Sequence, residues 1–307
     1  MSDGIRTTLV TAGDAAFAWG TLLLVASMRR NGMAHPVVAG AVDWPDIMKR
    51  RVLSLGNVRI KDLPRSRQCV ACQKPVMMAC PEVETEWVCW ADSDAVFVGD
   101  CSEWIEGEDE EEITVRRSYP VPADFTPENL EVWRRDVEKT FRRALERSRY
   151  PTRVTDPFIL VHRKWVPFLQ RWQRQMETVL PADVGIVMKR GTPYFQTDES
   201  VLGSLLCFDP DAPRLAEHCR ANDGTDPRRH YAHFAYNPKP WKMWNPYSIR
   251  WREEMWAVAD WLVERGIVRA GEVPKSLRRG WWPLYRAMAP AAPLVWRATK
   301  LRRRLFG

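Results

Sequence analysis

Short apolar runs and helix-like segments alternate through the first part of the 307-residue chain. Thr7–Thr11 and His35–Val42 have the compact apolar composition of buried strands, and Ala15–Arg30 between them is apolar on almost every face. A helix with this pattern packs against a sheet. Pro45–Leu55 and Val58–Leu63 then repeat the order of helix and strand. The alternation predicts an α/β fold with a mostly parallel, doubly wound central sheet.

Later segments add further elements to this prediction. Arg65–Cys80 has helical character, and Pro127–Arg149 carries apolar residues at helical spacing, which predicts one long amphipathic helix. Val184–Met188 predicts a short strand, and Tyr231–Tyr236 predicts the last strand of the core. Thr197 opens a short apolar helix that extends to Cys207.

The segment Trp87–Asp100 joins a predicted strand, Trp87–Ala91, to two carboxylates. In extended backbone, residues two apart project from the same face, so Asp92 and Asp94 are expected to point into one space. Two adjacent carboxylates each resist ionisation, and a hard divalent cation removes that conflict. The pattern predicts a metal–diphosphate site at the end of a central strand. The competing interpretation is an ordinary turn, for which Asp-Ser-Asp is equally typical.

The net charge of +7 is concentrated at the C-terminus. Pro274–Gly307 contains nine basic residues and no acidic residue, and subtracting these nine charges from +7 leaves −2 on the remaining chain. A nucleic-acid-binding core should instead carry its positive charge along a groove or face, so no nucleic-acid partner is predicted. Because tryptophan and leucine alternate with arginine in this tail, the sequence predicts contact with an anionic membrane surface. The alternative is a C-terminal helix that packs on the core.

Cysteine usage and hydropathy bear on the compartment. Seven cysteines are present, and Cys69-Val-Ala-Cys72 has metal-type spacing but no matching second pair. Reduced thiols are therefore expected, and these are typical of a cytosolic protein. No segment reaches the roughly 18 apolar residues that a membrane helix needs. The predicted location is the cytoplasm, with peripheral attachment to the inner face of the membrane through the tail.

Three separated stretches resemble the family 8 glycosyltransferases, the group of glycogenin and the lipopolysaccharide glucosyl- and galactosyltransferases. They are Thr7–Ser27, Trp87–Asp100 and His233–Trp241 (HFAYNPKPW), in the order found in that family. The resemblance implies a GT-A fold, whose Rossmann-like half binds a nucleotide sugar. It also divides the chain into a transferase domain, residues 1–245, and a helical extension rich in tryptophan and arginine, residues 246–307.

The resemblance implies a metal site and a catalytic set. Asp92, Asp94 and His233 are the implied ligands of a divalent cation on the donor diphosphate, and imidazole beside carboxylates suits Mn²⁺ better than Mg²⁺. Lys239 is implied to neutralise the diphosphate as a point charge. Asp198 is implied to face the donor sugar and to stabilise positive charge on it.

A second implied set holds the nucleotide. Thr11, Asp14 and Phe17 fall at the first strand–helix junction, where the family binds the nucleotide and where an aromatic ring often stacks on the base. Lys74 matches a basic residue that reaches toward the donor together with Asp92. Since Asp14 and Asp92 both follow predicted strands, both are expected at the ligand-binding edge of the sheet.

Three positions depart from the family pattern. Tyr236 replaces a glycine of the C-terminal signature, and Glu199 replaces the glutamine that follows the implied sugar-facing aspartate. Asp156-Pro157-Phe158 lies roughly where the family has Asn-Ser-Gly. These departures bear on the donor sugar and on activity.

The resemblance implies an enzyme, a metal-dependent retaining glycosyltransferase. It would move a hexose from a nucleoside diphosphate sugar, with UDP as the expected nucleotide, to a glycan or lipid-linked acceptor. Two alternatives stay open. One is a nucleotidyltransferase of similar fold, and the other is a catalytically degenerate sugar-binding or scaffold module.

Overall fold

The computed structural model describes residues 4–118, 124–185, 187–216 and 230–298. The strands in these ranges are β1 (Thr7–Asp14), β2 (Val37–Val42), β3 (Val58–Asp62), β4 (Trp87–Ala91), β5 (Ala95–Phe97), β6 (Glu112–Arg117), β7 (Val154–His162), β8 (Arg214–Leu215) and β9 (Tyr231–His233). The α-helices are α1 (Ala18–Arg30), α2 (Asp46–Leu53), α3 (Gln73–Met78), α4 (Ser102–Ile105), α5 (Pro127–Phe141), α6 (Val166–Val179), α7 (Thr197–Phe208), α8 (Arg252–Glu264) and α9 (Trp282–Met288).

Seven strands form the central sheet in the order β3-β2-β1-β4-β7-β6-β8. Only β7 runs against its neighbours β4 and β6, and every other pair in the sheet is parallel. The predicted α/β class with a mostly parallel sheet and flanking helices is confirmed. The crossover from β1 to β4 creates a switch in strand order, and crevices at such points bind ligands in open α/β sheets.

Alternate residues of the strands feed two hydrophobic layers. Leu9 and Cys89 face the layer that contains α1 and α8, while Val10 and Val88 face the layer that contains α3, α5, α6 and α7. This alternation follows from the two-residue repeat of a strand. Helix α8 packs on α1 in the first layer, so part of the chain after residue 245 shares the core of the first half. The division at residue 245 stays a prediction.

The first helix begins three residues later than predicted. Asp14 is the last residue of β1, and its Oδ1 accepts a hydrogen bond from the backbone N–H of Ala16 at 2.8 Å. The backbone N–H of Phe17 donates to the carbonyl of Asp14 at 2.9 Å. Asp14 therefore shapes a turn before α1 and does not cap the helix, whose N-cap residue is Phe17.

The predicted helix Pro127–Arg149 ends early. Helix α5 ends at Phe141, and Arg142 adopts a left-handed conformation with φ of 62°. Beyond it, the backbone N–H groups of Leu145 and Arg149 donate to the carbonyls of Phe208 and Cys207 at the end of α7. These long-range hydrogen bonds replace the helical ones, so the apolar spacing after Phe141 serves packing in an irregular segment.

Three smaller predictions differ from the structure. Of Arg65–Cys80, only Gln73–Met78 is α-helical, and Pro75 lies in its first turn, where the missing N–H costs little. The described residues of Val184–Met188 form no strand. Tyr231–Tyr236 is a strand only up to His233, and it pairs with β5 outside the central sheet.

Two properties bear on compartment and membrane contact. The six described cysteines are buried and form no disulfide bond, and the Cys69 and Cys72 sulfurs lie 3.3 Å apart. Within residues 4–298, leaving aside the gaps given above, no helix combines the length and the apolar character needed to cross a bilayer. The basic run Arg302–Arg304 lies outside the described residues.

Candidate functional site

The turn Asp92–Asp94 follows β4, which pairs in parallel with β1. Two glycines allow this turn to lie close to the first strand and helix. A Cβ on Gly20 of α1 would lie 2.2 Å from the carbonyl oxygen of Ser93, and a Cβ on Gly13 would lie 3.2 Å from the Ser93 hydroxyl. A side chain at Gly20 would therefore push the turn away from α1, so the glycine is required where it stands.

The two-stranded ribbon of β5 and β9 brings a histidine to this turn. Its register places His233 opposite Ala95, and the backbone N–H of Phe234 donates to the carbonyl of Asp94 at 2.8 Å. The His233 Nε2 atom consequently lies 3.4 Å from an oxygen of Asp92 and 3.3 Å from an oxygen of Asp94. Residues separated by about 140 positions in sequence thus face one another.

These three side chains fit a divalent cation. One ligand atom from each of Asp92, Asp94 and His233 lies within 4.8 Å of the others, and no other group of this kind occurs in the described parts of the chain. Small shifts would bring all three atoms to the roughly 2 Å ligand distances of Mg²⁺, Mn²⁺ or Zn²⁺. Carboxylate oxygen with imidazole nitrogen is a donor set for transition metals such as Mn²⁺.

A proton and a metal cation compete for His233. Burial alone would raise the pKa of Asp94, but the positive charges of His233 and Lys239 outweigh burial and hold that pKa well below its usual range. Burial alone would lower the pKa of His233, and the Asp94 carboxylate reverses the effect and raises it. A metal ligand must be neutral imidazole, so metal binding here displaces a proton from His233.

Lys239 lies on the same carboxylate. Its Nζ atom is 2.5 Å from Asp94 Oδ2, and it donates to the carbonyls of Phe234 at 2.7 Å and Ala235 at 3.3 Å. The side chain is only 5% exposed. A buried ammonium with three acceptors is held in a fixed position beside the metal ligands.

A second buried cation links the turn to α7. Lys74 contacts a side-chain oxygen of Asp156, lies 2.9 Å from Asp198 Oδ2 and lies 3.4 Å from Asp92 Oδ1. Burial would lower the pKa of Lys74, but these carboxylates raise it well above its ordinary value, so the lysine stays charged. The predicted residues Lys74, Asp92 and Asp198 therefore form one network, and Asp156 completes it.

Three residues of this network carry no predicted role. Asp156, which lies roughly where the family that the sequence resembles has Asn-Ser-Gly, is fully buried against Lys74. Trp90 Nε1 donates to Asp92 Oδ1 at 2.8 Å, and the Tyr231 hydroxyl accepts from the backbone N–H of Asp92 at 3.1 Å. Both contacts orient Asp92. The place of Asp156 in the motif comparison was the sequence signal that could have identified its role. Nothing in the sequence distinguishes Trp90 and Tyr231 from ordinary core aromatics.

The predicted nucleotide residues are spread over the adjacent edge. Thr11 is fully buried inside β1 with no hydrogen-bond partner for its hydroxyl, whereas Asp14 is half-buried at the end of that strand. Phe17 packs edge-on against Trp241, with ring centroids 5.9 Å apart, and the Lys239 ammonium lies 5.7 Å from its ring centroid. Phe17 therefore borders the metal-ligand cluster, and the role of each residue stays a prediction.

Glu199 balances the excess of carboxylates around Lys74. Burial and the neighbouring Asp198 raise the pKa of Glu199 to about 7. Its Oε1 accepts from the backbone N–H of Asp156 at 3.4 Å, and its Oε2 is buried without a hydrogen-bond partner. A proton on Glu199 removes one negative charge from a site that already holds three carboxylates.

This raised pKa predicts a pH-dependent stability. A carboxyl group whose folded pKa is raised stabilises the fold below its unfolded pKa, and that contribution is lost as pH rises through about 7. Between pH 5 and pH 8 we expect the wild type to lose about 2 kcal/mol of unfolding free energy that Glu199→Gln does not lose, at about 1.4 kcal/mol per pKa unit. Urea unfolding at both pH values measures this, with the exposed Glu177→Gln as control. If the difference in unfolding free energy between the wild type and Glu199→Gln is the same at pH 5 and pH 8, the raised pKa of Glu199 is contradicted.

Comparisons with known proteins support the fold. No protein-family model and no curated protein matches the chain. The solved structures include the bifunctional glycosyltransferase WbbM at a TM-score of 0.54 and 11% identity, over 87% of this chain and 52% of that one. The glycosyltransferase GlyE of Streptococcus pneumoniae matches at 0.52 and 13%, over 86% of this chain and 64% of its own.

A third match is LgtC, as an active-site mutant in which glutamine is replaced by glutamate. It has a TM-score of 0.50 and 12% identity, over 89% of this chain and 98% of LgtC. The chain thus spans about half of WbbM, just under two thirds of GlyE and nearly all of LgtC. At these identities the likeness shows the fold, which is that of the GT-A glycosyltransferases.

Proposed function

We propose that the protein is a metal-dependent glycosyltransferase of the family 8 type, which transfers a hexose from a nucleoside diphosphate sugar to a glycan or lipid-linked acceptor. The observation that carries this proposal is the convergence of Asp92, Asp94 and His233 within 4.8 Å, with the Lys239 ammonium 2.5 Å from Asp94. The GT-A fold places this cluster beside a strand-order switch, where ligands bind in such sheets.

The chain's own residues divide the work of binding and charge stabilisation. When bound, Mn²⁺ or Mg²⁺ neutralises negative charge on the diphosphate leaving group. Lys239 supplies a fixed positive charge at the same position, and such preorganised charge stabilises a transition state. Asp198 lies 2.9 Å from Lys74, which keeps this carboxylate in place near the donor sugar and available to stabilise positive charge on the ring.

A donor screen tests the proposal. The full chain is incubated with Mn²⁺ and a panel of nucleotide sugars, and the products of donor hydrolysis are separated. We expect release of a nucleoside diphosphate, with UDP-hexoses as the active donors. Release of pyrophosphate from nucleoside triphosphates would identify a nucleotidyltransferase instead. Binding of free sugars with no nucleotide binding at all would identify a sugar-binding module.

The C-terminal surface supports peripheral membrane attachment as part of this proposal. Four of the nine exposed large hydrophobic side chains in the described residues lie within 281–295. Basic residues flank them, and no acidic residue occurs after Glu272. Apolar side chains interspersed with arginine suit the interface of an anionic bilayer. The four are Trp281, Leu284, Leu294 and Val295.

Removing the whole tail is a poor test, because Ser276 and Leu277 are buried and the Ser276 carbonyl accepts a hydrogen bond from Trp244. Point variants avoid this damage. We expect Leu284→Asp combined with Leu294→Asp to weaken co-sedimentation with phosphatidylserine-containing vesicles about tenfold or more, because each buried leucine contributes roughly 1.5–3 kcal/mol. The matched control is Ile47→Asp with Leu53→Asp, which changes two exposed residues of α2. Equal binding by both double variants contradicts the membrane proposal.

A further inference from the structure

A small open pocket adjoins the candidate metal site on the C-terminal side of β9. It has a volume of about 80 Å³, and its lining residues all belong to the segment 233–250. We call it the tyrosine pocket. Its principal lining residues are His233, Tyr236, Asn245, Tyr247, Ser248 and Arg250. Since His233 lines the pocket and also belongs to the metal-ligand cluster, a ligand held here lies next to that cluster.

Two stacked tyrosines form one wall of the tyrosine pocket. The ring centroids of Tyr236 and Tyr247 are 4.2 Å apart with an angle of 23° between the ring planes. The two residues are 57% and 58% exposed, which leaves aromatic surface open to a ligand. Aromatic side chains with one polar end are suited to amphipathic ligands, and a sugar ring offers an apolar C–H face together with hydroxyl groups.

The loop that carries these tyrosines is fixed from inside. The Asn245 side-chain amide donates to the carbonyl of Tyr236 at 3.2 Å and to that of Pro238 at 2.9 Å. Its Oδ1 accepts from the backbone N–H of Tyr247 at 2.9 Å and of Ser248 at 3.0 Å. One buried side chain therefore joins both tyrosine-bearing segments, so the aromatic wall exists before any ligand binds and ligand binding need not order it.

The charge of the tyrosine pocket favours an anion. None of the lining residues is acidic, and because His233 already faces the carboxylates of Asp92 and Asp94, Arg250 is the lining side chain that can meet an anion. The Arg250 guanidinium lies 5.4 Å from the centroid of the Trp251 ring, and among the described residues it forms no ion pair. A planar guanidinium held on an aromatic ring is suited to binding a carboxylate or phosphate through two parallel hydrogen bonds.

The volume of the tyrosine pocket limits how much of a ligand it encloses. Pockets that enclose whole drug-sized ligands measure roughly 300–1,000 Å³, so a pocket of 80 Å³ encloses part of one sugar unit and is too small to enclose a complete nucleotide sugar. We propose that the tyrosine pocket is the acceptor subsite, and that it binds a sugar unit bearing a carboxylate or phosphate. The inference rests on the proposed function, which places the donor diphosphate on a cation held by Asp92, Asp94 and His233 and the donor sugar near Asp198.

Three monosaccharide probes test the inference by calorimetric titration into the full chain with Mn²⁺ and UDP present. Glucose is neutral, glucuronic acid carries a carboxylate, and glucose 6-phosphate carries a phosphate. We expect at least one acidic sugar to bind about tenfold or more tightly than glucose. Tighter binding of glucuronic acid assigns the carboxylate, and tighter binding of glucose 6-phosphate assigns the phosphate. Equal affinity for all three probes overturns the inference.

Substitutions at two exposed positions show where the sugar binds. We expect Arg250→Ala to abolish the preference for the acidic sugar and Tyr236→Ala to weaken all sugar binding about tenfold. The control is Arg265→Ala, because Arg265 is exposed and lies 5.3 Å from the Trp261 ring centroid but lies outside the pocket. Unchanged sugar binding in Arg250→Ala and Tyr236→Ala overturns the inference. Weaker binding of UDP in Tyr236→Ala would place the tyrosines on the donor and overturn it as well.

The same titrations separate this inference from the proposed function. If the wild type binds UDP with Mn²⁺ but shows no acidic-sugar preference, the acceptor assignment fails and the donor site stands. If the wild type binds acidic sugars yet shows no UDP binding with Mn²⁺, the proposed transferase function fails and the pocket is a sugar-binding site on its own.

Discussion

We expect Asp94→Asn to lower the proposed Mn²⁺-dependent release of UDP from a UDP-sugar about a hundredfold or more. The substitution keeps the shape of the side chain but removes the charge that faces His233 at 3.3 Å and Lys239 at 2.5 Å. The site then loses one of its two carboxylate ligands and the counter-charge that holds Lys239 in place. Removal of a single preorganised electrostatic group costs about 10²–10³ in rate in other enzymes.

A matched variant controls for Asp94→Asn. Asp100→Asn makes the same chemical change six residues later, where the exposed Asp100 carboxylate accepts hydrogen bonds from the Ser102 N–H at 2.9 Å and hydroxyl at 2.6 Å. Circular dichroism establishes that both variants fold, and initial rates are compared at saturating Mn²⁺. We expect Asp100→Asn to retain activity within about threefold, since it changes only a local turn. If Asp94→Asn turns over the donor at the wild-type rate, the metal-site assignment is contradicted.

We expect Lys74→Met to destabilise the fold by about 3–5 kcal/mol, the range measured when one partner of a buried ion pair is removed. Lys74 is 5% exposed, and its ammonium contacts Asp156, Asp198 and Asp92. Methionine fills a similar volume but leaves those carboxylates without a cation. The excess of buried negative charge, and not lost packing, is therefore the source of the cost.

Two further variants isolate the charge effect of Lys74→Met. Adding Asp156→Asn should restore part of the lost stability, because burial and Asp198 raise the pKa of Asp156 well above its usual value and its ionised form has no cation once Lys74 is gone. Lys61→Met is the control, since Lys61 pairs with Glu82 at 2.6 Å on a partly exposed surface, where such pairs contribute about 0–1 kcal/mol. Urea unfolding measures all three. A cost below 1 kcal/mol for Lys74→Met, or no recovery with Asp156→Asn, contradicts a network held together by this lysine.

Local patterns predicted the parts of the site that depend on local structure. Trp87–Ala91 is a strand with the predicted bounds, and Asp92 and Asp94 follow it directly, because an apolar run that ends in carboxylates marks the end of a buried strand. The parallel sheet followed from the alternation of strands and helices. In both cases the signal lies within a few neighbouring residues.

Long-range pairing could not be predicted in the same way. The short strands β5 and β9 have only three residues each, and their register alone brings His233 to Asp94. Only the motif resemblance linked these positions in sequence. The contact of Asp156 with Lys74 likewise joins two elements 82 residues apart. Helix α5 ends at Phe141, and the backbone N–H groups of Leu145 and Arg149 beyond it donate to distant carbonyls of α7, a pairing that periodicity within the helix does not reveal.

The structure also changes the view of the basic C-terminal segment. Composition alone suggested either a membrane-contacting tail or a helix packed on the core. Leu277 and Ala289 are buried, whereas Leu284 and Leu294 are exposed. The segment therefore packs on the core through its buried residues, and its exposed residues present the apolar and basic surface on which the membrane proposal rests.

The central claim is that Asp92, Asp94 and His233 hold a divalent cation that binds a nucleoside diphosphate. Calorimetric titration of UDP into the full chain tests it most directly, once with Mn²⁺ and once with EDTA. The account predicts that UDP binds at least about tenfold more tightly with Mn²⁺, equivalent to 1.4 kcal/mol or more, and that Asp94→Asn removes this difference. Equal UDP affinity with Mn²⁺ and with EDTA in the wild type would contradict it.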